Sequence, residues 1–205
     1  MAFNNFLSSL RRAGREMVLP AGKIKEVCQN TLADKSIETV LDFGAGTLFW
    51  SNWFVKKFKS RVCAVDIYYD KTEMPAKDGI TCYADFDKCL ATNSWFSLVW
   101  ACDVLHHLPP AETKGFLEKI ADKTNIIIIK DIDANRKFGN IMNKLHDRII
   151  NGEKVFDIFP DTLRRVLEAR GFETAYYYLP KIWYPHFIVT ALRGNPHFND
   201  KENIT

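Results

Sequence analysis

Three acids and two glycines, in a fixed order along the chain, are the first residues with chemistry to offer. Asp42, Gly44 and Gly46 lie in VLDFGAGTLFW (40–50), where an apolar run ends in an acid and two glycines before a second apolar segment. Glycines placed there let the backbone turn sharply and approach a ligand with no Cβ in the way. A helix that follows would offer its unpaired N–H groups to a negatively charged part of that ligand. Asp66 closes the next apolar run, in position to bind ribose hydroxyls. Asp85 follows the third run and precedes Phe86, a carboxylate and a ring that suit the amine and face of an adenine. Any one of these acids could be a helix cap. Three at the ends of successive runs point to a nucleotide cofactor.

Further candidates stand downstream. His106 and His107 follow a fourth run, and Lys130, Asp131 and Asp133 end a fifth after four consecutive isoleucines. His146 and Asp147 sit in a helical pattern, and Tyr184 and His186 belong to the aromatic stretch IWYPHF. A histidine oriented by a carboxylate is a general base. The reading is that one of His106, His107 or His146 fills that role, with Asp131 orienting it or binding substrate. The competing readings are a packed turn for the histidine pair, a solvated loop for Lys130–Asp133, and an exposed helix face for His146.

Something must position these side chains. The runs ETVLDF (38–43), RVCAVDI (61–67), GITCYA (79–84), WFSLVWAC (95–102) and TNIIIIKDI (124–132) are near-continuous apolar segments of strand length. Such runs belong to strands covered on both faces, hence to a parallel sheet. Helical patterns separate them over 48–58, 86–90 and 110–123, and two more follow over 136–150 and 160–170, the latter stopped by Gly171. ETAYYYL (173–179) and HFIVTALR (186–193) are joined too closely for a crossover helix, so they must pair antiparallel. The fold expected is α/β: a Rossmann-like doubly wound sheet of five parallel strands plus a C-terminal antiparallel hairpin, seven strands in all, with helices on both faces. One domain is expected over 1–205. Within it, residues 1–30 form an N-terminal helical lid or cap, 133–165 a helical insertion contributing to an acceptor pocket, and 194–205 a flexible tail.

Composition narrows the function class. The chain has 205 residues, 47% hydrophobic and 26% charged, enough for one packed core. A net charge of +3 gives no strongly basic face for nucleic acid. Five scattered cysteines without a C-x-x-C pair argue against structural zinc or a disulfide framework and for a reducing cytoplasm. No apolar stretch approaches the ~20 residues that span a bilayer, and the N-terminus lacks the order of a signal peptide. Residues 3–18 set Phe3, Phe6, Leu7, Leu10 and Met17 on one helical face, with Arg11, Arg12 and Arg15 elsewhere. That segment reads as a lid over the cofactor, as plain packing, or as a contact with an anionic membrane. A cytoplasmic and, on the last reading, membrane-peripheral protein is expected.

D-F-G-A-G with Asp66 and Asp85, and WACDVLHHLPP (100–110), resemble the class I S-adenosylmethionine-dependent methyltransferases of small-molecule type. The resemblance covers roughly 38–193. Their glycine motif is (D/E)-x-G-x-G-x-G, and this chain has Leu48 at the third glycine. The resemblance implies S-adenosylmethionine as cofactor, S-adenosylhomocysteine as product, and a donor site at Asp42, Gly44, Ala45, Gly46, Asp66, Ile67, Asp85, Phe86 and Ala101. No metal is implied. The N-P-P-Y segment used on exocyclic amines and the proline–cysteine pair of cytosine methylation are absent, which leaves a small-molecule, sugar or lipid-like acceptor and O-methylation. A catalytically inactive cofactor-binding scaffold is the alternative. A NAD-dependent oxidoreductase is weaker, because Phe49 replaces its third glycine and Asp42 would repel a pyrophosphate.

Overall fold

The computed structural model describes residues 19–70, 77–146, 148, 154–181 and 184–194. The N-terminal segment 3–18, Asp147, Trp183 and the tail from 195 lie outside the described residues, as does the side chain of His146. Seven strands form one sheet: β1 (Thr39–Phe43), β2 (Arg61–Val65), β3 (Ile80–Tyr83), β4 (Leu98–Cys102), β5 (Ile126–Ile132), β6 (Glu173–Lys181) and β7 (Tyr184–Leu192). Their order is β3-β2-β1-β4-β5-β7-β6. The first five are parallel, and β7 runs antiparallel to both β5 and β6. The chain moves outward from β1 to β3, then crosses back to β4, so the strand order reverses between β1 and β4. That reversal opens a crevice at the carboxyl ends of these strands, where ligands of such sheets bind.

Because side chains alternate along a strand, successive apolar residues feed both faces. Val40, Leu98, Trp100, Ile126, Ile128 and Ile188 pack under α1 (Ala21–Thr31) and α2 (Phe49–Phe58). Leu41, Val99, Ala101, Ile127, Ile129 and Val189 pack on the opposite face. There they meet α3 (Phe86–Thr92), α4 (Pro110–Ala121) and α6 (Pro160–Glu168). α5 (Lys137–His146) follows β5 at the carboxyl edge. α1 is where a sequence reading of a general N-terminal cap is least specific. It starts at Pro20 with no side-chain cap and no acid in its first turn, so only Ile24, Cys28 and Leu32 mark it, each fully buried or nearly so.

α2 begins at the missing third glycine. Leu48 has φ 62° and ψ 24°, the left-handed conformation a glycine would adopt without cost. Its side chain is 3% exposed and packs with Ala45 and Ala64 against Tyr69, Ile80 and Cys82. Leucine at this position therefore exchanges backbone strain, roughly 1–2 kcal/mol, for a buried side chain worth roughly 1.5–3 kcal/mol. Leu48→Ala loses the packing and keeps the strain, whereas Leu48→Gly loses the packing and relieves the strain. Urea unfolding should therefore show Leu48→Gly to be the less destabilising of the two, the reverse of the order in a helix interior.

Candidate functional site

At the crevice the chain leaves β1 through Gly44, Ala45 and Gly46. The N–H groups of Gly44 and Ala45 donate to the Val65 carbonyl at 2.8 and 3.1 Å, which pins the loop to the end of β2. The two glycines have positive φ, 73° and 48°, but they serve different ends. A Cβ on Gly44 would lie 2.4 Å from Val104 Cγ2, so that glycine makes room for the turn after β4. A Cβ on Gly46 would meet nothing within 4 Å. Gly46 is therefore the open floor of the cradle. Its N–H donates to Asp66 Oδ2 at 2.8 Å, and its carbonyl accepts from the Tyr69 hydroxyl at 2.9 Å. The other oxygen of Asp66 accepts from the Tyr68 N–H at 3.0 Å. Beside this acid Ile67 is 74% exposed, a large apolar side chain left at the rim of the crevice.

Asp42 lies beneath the loop, 1% exposed. Oδ2 accepts from the Ser51 hydroxyl of α2. Oδ1 is buried with no hydrogen-bond partner among the described residues, and so is Nε1 of Trp100, its cross-strand neighbour in register on β4. Burial pushes the Asp42 carboxyl up to about 7, helped by the charge of Asp66 and opposed by the bonds from Ser51. Buried polar groups are nearly always paired, so Asp42 Oδ1 and Trp100 Nε1 are exceptions among the described residues.

The second cluster stands at the ends of β4 and β5. All seven residues of β5 are buried, Lys130 and Asp131 completely. Asp131 Oδ2 accepts from the backbone N–H groups of Leu105 and His106 at 3.1 and 3.3 Å. Oδ1 accepts from the Ile132 N–H at 2.8 Å and meets His106 Nδ1 at 2.5 Å. A carboxylate so placed fixes both the turn after β4 and the orientation of the imidazole. The His107 ring lies against that of His106, centroids 4.1 Å apart. Asp103, with φ 53°, turns back to bond Lys130 Nζ at 2.5 Å. Burial works to raise its carboxyl, but the Lys130 ammonium and the neighbouring His186 and His106 rings outweigh that and hold it below the usual range. Atoms of Asp103, His106 and Asp131 come within 4.8 Å of one another. A divalent ion there would have to displace the Lys130 ammonium and compete for Asp131 oxygens already engaged by four donors, so this donor set does not fit a metal.

The sequence-derived candidates thus separate. His106 and Asp131 come together as a dyad, with His107 adjacent. Lys130, Asp131 and Asp133 are buried and not a solvated loop. Asp85 is exposed and caps α3, accepting from the Lys88 N–H at 3.0 Å. Phe86 packs edge-on to Phe43 at 5.1 Å and against Phe116 at 5.4 Å, beside a cleft of about 250 Å³ that also reaches Leu108, Glu112 and Lys119. Ala101 is fully buried in the core, so its side chain offers nothing to the crevice. His186 is buried on β7 and stacks on Tyr184, ring centroids 5.9 Å apart. Ser51, Tyr69 and Asp103 belong to the site without having been singled out. Only the D-V-L-H-H-L segment carried a sequence signal for Asp103.

A family model described as a methyltransferase domain matches residues 12–177. No curated protein sequence matches the chain. Similar crystal structures include a SAM-dependent methyltransferase from Archaeoglobus fulgidus, with 16% identity, 82% of this chain and 94% of that one covered, and a TM-score of 0.63. Magnesium protoporphyrin IX methyltransferase from Synechocystis PCC 6803 with bound SAH has 18% identity, 84% and 82% coverage and a TM-score of 0.62. Burkholderia thailandensis 1,6-didemethyltoxoflavin-N1-methyltransferase has 16% identity, 94% and 90% coverage and a TM-score of 0.61. At these identities the likeness is one of fold.

The state of Asp42 has a measurable consequence. Its folded pKa of about 7 lies above the ordinary value of 3.8, so the fold holds the proton more tightly than the unfolded chain does. The associated stability is fully present below pH ~4 and is lost as pH rises through about 7. Asp42→Asn removes this dependence. Thermal unfolding of the variant should exceed that of the parent by several degrees at pH 8, with the difference shrinking steadily towards pH 4.

Proposed function

The chain belongs to the S-adenosylmethionine-dependent methyltransferases of the class I fold, and from that premise we propose that it methylates a hydroxyl of a small-molecule, sugar or lipid-like acceptor, with His106 as general base. When bound, S-adenosylmethionine supplies an electrophilic methyl group on a sulfonium sulfur. The residues at the crevice fit that molecule. Asp42, whose Oδ1 has no partner among the described residues, lies at the carboxyl end of the strand that leads into Gly44–Gly46 and suits a cationic amino group. Asp66 retains acceptor capacity for ribose hydroxyls, and exposed Ile67 offers an apolar surface to a base. Asp85 and Phe86, at the end of β3, are kept as adenine contacts through the carboxylate oxygen not engaged in capping and through the ring edge.

The observation that carries the base assignment is the His106–Asp131 pair. The Asp131 carboxylate, accepting at Nδ1, fixes which ring nitrogen holds the proton, the arrangement by which a carboxylate orients a basic imidazole. A hydroxyl nucleophile must lose its proton as it attacks, so a base matters there, and a positioned one contributes roughly 10²–10⁴ in rate. Asp103 and Lys130 neutralise each other next to the dyad and hold the end of β4 against β5. The relatives of similar fold named for magnesium protoporphyrin IX and 1,6-didemethyltoxoflavin are in keeping with a ring-bearing small acceptor. So are Tyr176, Tyr177 and Tyr178, each more than a third exposed on β6.

The test is transfer of a radiolabelled methyl group to fractionated small-molecule and lipid extracts. His106→Ala should lower turnover by roughly 10²–10⁴ with S-adenosylhomocysteine affinity unchanged, whereas His107→Ala should stay within a few-fold of the parent. Equal turnover in the parent and His106→Ala would place the base elsewhere.

A further inference from the structure

We propose that α5 is a docking face for an anionic lipid bilayer. A surface helix normally turns its apolar stripe inward and its polar residues to water. α5 does the opposite. Its buried positions are Gly139 and Asn143. Its outward stripe is Phe138, Ile141 and Leu145, which are 68%, 62% and 49% exposed. Spacings of three and four place these on one face, and exposed Arg148 extends the line by three more residues.

The charges name the occupant. From 136 to 148 the sequence RKFGNIMNKLHDR has four cations against the single acid Asp147, and Lys137 stands in the first turn, where the helix dipole favours an anion. Arg136 and Lys137 are exposed at one end of the stripe and Arg148 at the other. Lys144 is held to the side by Asp157 at 2.7 Å. An isologous contact with a second copy would set these cations against their own images. The chain's own amphipathic stretch 3–18 carries Arg11, Arg12 and Arg15 and is opposed in the same way. An anionic leaflet satisfies both features, with headgroup phosphates for the basic ends and the acyl boundary for the three apolar side chains. Among the described residues no helix is long and apolar enough to cross a membrane, so the contact is one of lying on the surface. α5 also starts from the carboxyl edge of β5, the edge that carries the His106–Asp131 pair, so docking presents that edge to the bilayer.

Binding is read without turnover, so the outcome is independent of the methyl-transfer reading. The full chain is floated with phosphatidylcholine vesicles and with vesicles that also contain phosphatidylglycerol. It should float with the second and not the first, and added salt should weaken it. Phe138→Ser/Ile141→Ser/Leu145→Ser should reduce the bound fraction at least roughly tenfold, and Lys137→Glu/Arg148→Glu should do so on the anionic vesicles. Both variants should retain the parent's S-adenosylhomocysteine affinity and melting temperature, which separates lost docking from lost fold. No flotation with anionic vesicles overturns the proposal. Flotation that both variants leave unchanged overturns it too, as does a parent dimer that the triple serine variant converts to monomer, which would assign the stripe to a second copy.

Discussion

A carboxylate taken out of water must be surrounded by donors, and the site is arranged around one that is. Asp131 receives two backbone N–H groups from the turn after β4, one from β5 itself and the ring of His106. These bonds fix the turn that contains Val104. Val104 fills the space a side chain at Gly44 would need, so the same turn sets how closely β1's loop approaches β4. That loop in turn is pinned to Val65 and held through Gly46 by Asp66. His106 and the glycine loop are thus two ends of one packed path. The strained φ of Asp103 belongs to this path, because its turn brings the carboxylate onto Lys130.

Asp42 is the contrasting case. It is as deeply buried as Asp131, yet one of its oxygens has no partner among the described residues and its proton is held up to about neutrality. An unpaired buried acceptor costs ~1–3 kcal/mol. The Asp131 carboxylate, two strands away in the sheet, accepts instead from three backbone N–H groups and meets the His106 ring. The difference between the two acids is therefore informative about role.

Much of the architecture was legible because it is written in local pattern. Near-continuous apolar runs gave the five parallel strands to within a few residues, and the short IWYPHF link gave the antiparallel hairpin. The acids at strand ends were legible too, since strand termini are read directly from where hydrophobicity stops. What local pattern cannot encode is what a residue meets across the fold. Gly44 looked like a ligand-facing glycine and faces Val104. Asp85 has the same sequence context whether or not it caps a helix, and one of its oxygens caps α3. For Lys130 a solvated loop stayed open as the competing reading, because its counter-ion Asp103 is distant in sequence. Three histidines were equivalent candidates until the β4 turn brought His106 onto Asp131. α1 carries no cap or breaker signal beyond Pro20, only three apolar residues at fourfold spacing.

The loop at Asp42, Gly44 and Gly46 suits a sulfonium nucleoside and not a dinucleotide. Isothermal titration of the full chain with S-adenosylhomocysteine and, separately, with NAD tests it directly. Saturable one-to-one binding of S-adenosylhomocysteine and no heat of binding with NAD are expected. Saturable binding of NAD with none of S-adenosylhomocysteine would contradict it.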